Sequence, residues 1–233
     1  MNKIRFVLSA LFLLFLFYAR PALSLGLGVY LSGTGGYNWY NSNSGSLLYN
    51  FPAAGGGFGF VLDTAVAKDQ LVNFRLNVGE DFLPRSSFSM ANMFKFNLLG
   101  SLGFGIIRTE DIRLWLGPQV GMRVNYGTGF EKSIISTYHA YFDIISFPYP
   151  GPSSTRHIVN TEFVGGLVIG VNFNVGRHFT VAVDAGGRLS LGTSTIAYYG
   201  LHKGFLREGS ASGYEGFINL AFIYRINDTQ KNL

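Results

Sequence analysis

Beyond residue 24 no stretch of this chain is apolar over the roughly 20 consecutive residues that a membrane-spanning helix needs. Yet apolar side chains return at every second position in one segment after another. A period of two marks a strand with one greasy face. The clearest case follows Asp111, where Ile112, Leu114, Leu116, Val120, Met122 and Val124 alternate with Arg113, Trp115, Gly117, Gln119, Gly121 and Arg123. Pro118 falls on the greasy register and has no N–H, so it should interrupt one ladder bond unless a bulge accommodates it.

The same rule predicts seven more strands. Leu25 to Ser32 and Gly55 to Thr64 open the series. Next come Val72 to Gly79, with Arg75 on the polar side, and Phe94 to Phe104, with Lys95 on the polar side. Further on, Val159 to Phe173 sets Asn160, Glu162 and Asn172 against a greasy face, and Phe179 to Leu191 does the same with Asp184 and Arg188. Ile218 to Ile226 closes the set, with Asn219 and Arg225 on its polar side.

Alternate connections are short: Ala67 to Gln70, Arg108 to Asp111 and Gly176 to His178. The other four run from Gly35 to Ala54, Glu80 to Ala91, Gly127 to His157 and Thr193 to Gly213, and are rich in Gly, Ser, Asn and Tyr. Tight turns at one rim, long loops at the other and strands of about ten residues describe a transmembrane antiparallel barrel. The expected fold is therefore all-β, an eight-stranded antiparallel transmembrane β-barrel over residues 25–226. The competing count is ten strands, with an extra hairpin between Gly127 and His157.

Polarity separates this from a secreted soluble barrel, which would bury its apolar face. Only 13% of the residues are charged, against about a quarter in soluble domains. The polar faces carry mainly Gly, Asn, Ser and Thr, which suit a narrow lumen better than a water-facing wall. An eight-stranded lumen is just wide enough for side chains to fill, and charges inside it must pair. Asp63, Arg75, Lys95, Arg113, Arg123, Glu162, Asp184, Arg188 and Arg225, together with Glu215, are thus expected to form a lumen charge network, with up to half of them at the rims in water.

Lys3 and Arg5, the uncharged run Phe6 to Ala19 and the small-x-small Ala22-Leu23-Ser24 form an export leader, so residues 1–24 are expected to be a cleaved signal peptide. The formal charge of +5 includes Lys3, Arg5 and Arg20. Without these, 15 basic residues face 13 acidic ones, and the basic balance gives no reason to expect a nucleic-acid partner. The absence of cysteine excludes disulfides, cysteine-ligated zinc and a lipidated cysteine anchor.

Catalytic motifs are missing. His139, His157, His178 and His202 lack metal-ligand spacing, and there is no nucleophile elbow, zinc-protease helix or phosphate loop. The chain is read as a non-enzyme without cofactor or metal. Binding capacity is assigned to the rings of the long loops: Trp39, Tyr40, Tyr138, Tyr141, Phe142, Tyr149, Tyr198 and Tyr199. Exposed apolar surface of this kind marks interaction sites.

Leader, alternating strands, three short turns and four long loops together resemble the small bacterial outer-membrane barrels grouped as OmpA-, OmpX- and OmpW-like. The chain departs from them at its end, where Phe222 and Tyr224 are followed by a polar tail, Asn227 to Leu233. The resemblance implies a monomer in the bacterial outer membrane, embedded in lipid, with extracellular loops and periplasmic termini. It implies one of two functions: passage of small hydrophobic molecules from a loop-proximal pocket, as in the OmpW-like branch, or a closed scaffold whose loops bind host or neighbouring surfaces.

Overall fold

The computed structural model describes residues 25–42, 47–64, 71–87, 90–131, 154–199 and 204–226. Within them the chain forms eight strands: β1 (Gly26–Ser42), β2 (Leu47–Asp63), β3 (Val72–Ser87), β4 (Met90–Arg108), β5 (Ile112–Glu131), β6 (Ser154–Val175), β7 (Phe179–Tyr199) and β8 (Gly204–Arg225). Each pairs antiparallel with its sequence neighbour, and β1 pairs with β8 from Gly26↔Arg225 to Ser42↔Gly209, closing the ring. Closure leaves no free sheet edge around the ring as a whole, the condition for strands in lipid. Because β5 pairs directly with β6 up to Glu131↔Ser154, the ring has no place for a ninth and tenth strand.

The strands are longer than the sequence pattern indicated, at 16 to 22 residues. The expected loops beginning at Gly35, Glu80 and Thr193 are in large part strand, and that beginning at Gly127 is strand at both ends, most of it lying outside the described residues. Above the greasy belt nothing requires an apolar face, so the barrel continues there in residues whose composition reads as loop. Pro118 interrupts its ladder as expected: β4 and β5 pair at Ser101↔Gln119 and again at Phe104↔Leu116, with the bulge falling further along, between Gly105 and Ile107. The short turns carry their own chemistry. Thr109 accepts the Ile112 N–H on its hydroxyl at 2.9 Å, and Gly176 takes φ +64°, a conformation open to glycine at no steric cost.

The greasy residues point outward. Val29, Leu31, Phe60, Val120, Phe163, Leu167, Leu189 and Ile218 each keep more than half of their surface exposed, which rules out the carrier-type polarity. Rings bracket this belt. Near the turns, Tyr224 meets His178 and Phe179. Toward the other rim, Tyr37, Trp39 and Tyr214 cluster, Phe82 meets Phe94, and Tyr126 stacks near His157. Tyr214 and Tyr224 lie on one strand, and ten residues at about 3.3 Å each, tilted about 40°, span about 25 Å, the height of a membrane barrel's apolar band.

One wall is incomplete. β2 and β3 pair only from Gly56↔Phe82 to Asp63↔Arg75, although β2 continues to Leu47 along β1 and β3 continues to Ser87 along β4. The cause is in the sequence. Backbone polar groups alternate between the two sides of a strand, and Thr64 exchanges bonds with Phe74 across this seam. Even-numbered residues of β2 and β3 therefore aim their N–H groups at each other, and Pro52 and Pro84 have none to aim. Continued in register, Ala54 would face Pro84 and Pro52 would face Ser86, so each of the next two hydrogen-bonded pairs would lack one bond. The strands stop pairing there, beside the Phe82–Phe94 ring pair.

Candidate functional site

All ten charged residues expected in the lumen lie there, none more than 6% exposed. Arg113, Glu162 and Arg225, candidates for water-exposed rim positions, are buried too. One residue joins them. Asp81 is buried inside as well; it continues the inward register of Asn73, Arg75 and Asn77 but falls where the sequence suggested a loop. The described lumen thus holds six cations and five carboxylates.

They assemble in two tiers. In the lower tier Arg75 from β3 donates to Asp63 on β2 and, at 2.6 and 2.5 Å, to both carboxylate oxygens of Asp184 across the lumen on β7. Its third contact is the Asn172 side-chain oxygen at 2.9 Å, which also accepts the Trp115 indole N–H at 3.3 Å. Trp115 fits because the barrel leaves it room: a Cβ on Gly103 or Gly170 would collide with its ring. Nearer the turns, Arg225 donates to Thr180 and Asn174.

The upper tier centres on Glu215 of β8. It receives Lys95 at 3.2 Å, Arg188 at 3.2 Å and Arg123. Arg123 also donates to Asn97 at 2.8 Å, and Asn97 donates to Asp81 at 2.8 Å; the Ser32 hydroxyl donates to Asp81 as well. Arg188 donates to Gln119 at 2.6 Å and covers the Phe217 ring at 3.5 Å. Glu162 accepts from Asn125 at 2.6 Å and lies 3.9 Å from Arg123. Trp115, Val168 and Phe217 fill the space between the tiers. Removing one member would leave its partners buried with an uncompensated charge, at about 3–5 kcal/mol.

Above the upper tier the inward face is mixed, with an apolar cluster beside the buried side chains of Asn38, Asn125, Asn160 and Ser194. Tyr40, Ala53, Leu83, Met93, Ile158 and Ala211 form a buried cap, with the Tyr40 hydroxyl 4.0 Å from the Met93 sulfur. Ala53 and Leu83 belong to β2 and β3 beyond their last pair, so the cluster lies behind the stretch where the ladder has ended; the backbones are still close at its start, where a Cβ on Gly55 would lie 2.9 Å from the Leu83 Cα. The sequence pattern did not reveal the cluster, because Tyr40, Ala53 and Leu83 all fell in expected loops.

The ring residues assigned to ligand binding divide. Tyr40 is a correction: it is 0% exposed inside the barrel rather than displayed on a loop. Trp39, its neighbour, faces outward with Tyr37 and Tyr214; both Tyr40 and Trp39 belong to β1 rather than to a loop. Tyr198 and Tyr199 end strand β7, again not a loop. Tyr138, Tyr141, Phe142 and Tyr149 lie outside the described residues, as do the leader and the polar tail.

A closed eight-stranded ring with a greasy exterior and a polar, filled interior defines the class: the chain has the fold and polarity of a small outer-membrane β-barrel. It is similar in structure to Ail, the attachment invasion locus protein of Yersinia pestis, at 11% identity and TM-score 0.37 over 87% of this chain and 99% of that one. It is also similar to a major outer membrane protein of Thermus thermophilus, at 12% identity and TM-score 0.43 over 86% and 99%. The outer membrane protease OmpT of Escherichia coli matches at 8% identity and TM-score 0.36 over 88% and 98%. No protein-family model matches the chain, and no curated protein matches its sequence.

Proposed function

We propose that this chain is an integral protein of the bacterial outer membrane that passes small apolar molecules sideways, from the upper lumen through the β2/β3 seam into the bilayer. The observation that carries this reading is the coincidence of two features, an interrupted ladder between β2 and β3 and an apolar cap immediately behind it. Elsewhere in the described lumen a molecule would meet paired charges, which favours a sideways route over one along the axis. In this reading residues 1–24 are removed on export, residues 227–233 trail into the periplasm with the N-terminus, the loops face outward, and the barrel works as a non-enzymatic monomer without a cofactor.

The test is uptake of N-phenyl-1-naphthylamine, an apolar dye, into proteoliposomes by the mature barrel and by an Ala54→Cys/Pro84→Cys variant. The chain has no cysteine of its own, so only the engineered pair can cross-link. Dye uptake should fall to that of empty liposomes when the pair is oxidised and return on reduction. Uptake unaffected by the lock would remove the proposal.

A second reading has its own support. The two ionic tiers close the axis, and the Tyr37–Trp39–Tyr214 cluster gives the upper exterior an aromatic surface. On that basis the barrel is a sealed scaffold that binds surfaces through its upper rim and loops. Binding of cells or matrix that is lost with Trp39→Ala, in a barrel that takes up no dye, would favour it.

A further inference from the structure

Glu80 stands out on the exterior. Among the described residues it is the one ionisable side chain on the outer face between the two ring belts. It was expected to begin a loop, but it continues the outward register of β3 after Leu76 and Val78. It lies two residues to the membrane side of Phe82, whose ring meets Phe94 at 5.2 Å. Beside it on β2 is Phe58 and beside it on β4 is Phe96, 67% and 51% exposed. The flanking residues of β3, Gly79 and Asp81, face the lumen, and no basic side chain of β2, β3 or β4 shares the outer face at this level among the described residues.

A carboxylate in apolar surroundings without a countercharge is unfavourable, and among the described residues of β2, β3 and β4 the outer face at this level offers it none. The rings around it attract the same kind of partner, since the face of an aromatic ring draws a cation. The position is also specific. Phe58↔Glu80 is the third pair from the end of the β2/β3 ladder, Gly56↔Phe82 being the last. A molecule leaving the apolar cap through the seam would come out beside this carboxylate.

We infer that Glu80, framed by Phe58, Phe82, Phe94 and Phe96, is a binding site on the bilayer side of the seam for amphiphilic cations, molecules with a positively charged head and an apolar tail. The inference rests on the lateral-passage reading for its functional meaning: Glu80 would bias the route toward apolar molecules that carry positive charge. The head sits between the carboxylate and the rings, and the tail lies along Phe58 and Phe60.

The test uses the mature barrel in phosphatidylcholine nanodiscs, which carry no net lipid charge. Retention of radiolabelled dodecyltrimethylammonium is compared with that of dodecyldimethylamine oxide, a probe of the same tail length and no net charge, each against empty discs. An exposed ion pair and one ring contact together predict a preference of about tenfold for the ammonium. Glu80→Gln should abolish that preference and Glu80→Asp should keep part of it, both variants being checked for folding by heat-modifiable gel mobility. Equal preference in wild type and Glu80→Gln would overturn the inference and show that the carboxylate simply reaches up to water. The dye-uptake lock across the seam answers separately: if the preference follows Glu80 while the locked barrel still takes up dye, the exterior site stands and lateral passage falls.

Discussion

Between β6 and β7 the ladder runs unbroken from Val175↔Phe179 to Thr155↔Tyr199, twenty-one pairs, whereas between β2 and β3 it ends after eight. Both walls come from the same alternating pattern, and both are backed by lumen side chains. The difference lies in two prolines on facing edges and in what crosses the lumen behind them. Where the ladder is whole, the interior holds ion pairs such as Arg188 with Glu215. Where it is split, Tyr40 of β1 packs on Met93 of β4; just below, beside the Gly57↔Asp81 pair, the Ser32 hydroxyl of β1 reaches past β2 and donates to Asp81 on β3. A barrel wall can forgo backbone bonds only where water or other contacts replace them, because each unpaired group in lipid costs several kcal/mol. The split accordingly begins at the upper ring belt and not within the greasy band.

The largest expected effect is on the whole wall. Glu215→Ala leaves Lys95, Arg123 and Arg188 facing one another, with Glu162 as the nearest remaining carboxylate. It should cost about 3–5 kcal/mol of folding free energy, read by urea titration of the barrel in lipid vesicles with heat-modifiable mobility as the signal. Asp81→Ala, just below the end of the β2/β3 ladder, should cost less, because it removes the Ser32 and Asn97 contacts and strands no cation held by Asp81 alone. Equal losses would mean that the two regions do not differ in the way described.

A second comparison runs along a single strand. Phe60, 70% exposed in the belt, and Pro52, exposed beyond the last β2/β3 pair, both face outward from β2. Arginine at the first should cost about 2–4 kcal/mol and at the second no more than about 1 kcal/mol. The same titration measures both. A large penalty at Pro52 would place the seam inside the hydrocarbon.

Much of this was legible in the alternation, because in a barrel that crosses lipid every second residue answers to hydrocarbon. Asp63, Arg75, Lys95 and Asp184 could be assigned to the interior from register alone. The pattern lost its hold above the belt, where both faces meet water or lumen and no apolar period is enforced. Tyr40 was therefore grouped with Trp39 although adjacent strand residues point to opposite sides, and Asp81 and Glu80 were both set in a loop when one points inward and the other outward. Pairing partners were not legible at all. That Arg75 meets Asp184, 109 residues away, or that Pro52 and Pro84 fall on facing edges, follows from the stagger of the closed ring, which no local stretch encodes.

The smallest expected effect bears most directly on the seam. If Pro52 and Pro84 hold the strands apart because neither can donate, then Pro52→Val/Pro84→Val restores two N–H groups aimed across the gap, each worth about 0.5–1.5 kcal/mol once paired. Valine also suits an outward strand position. The double variant should gain about 1–3 kcal/mol, and its two new amides should exchange slowly with deuterium, extending the protected β2/β3 ladder upward. Dye uptake should fall as stability rises, since the same bonds that complete the wall close the route. If the new amides exchange as fast as those of a water-exposed loop, the strands are held apart by the apolar cap behind them, and the prolines only follow a separation that packing imposes.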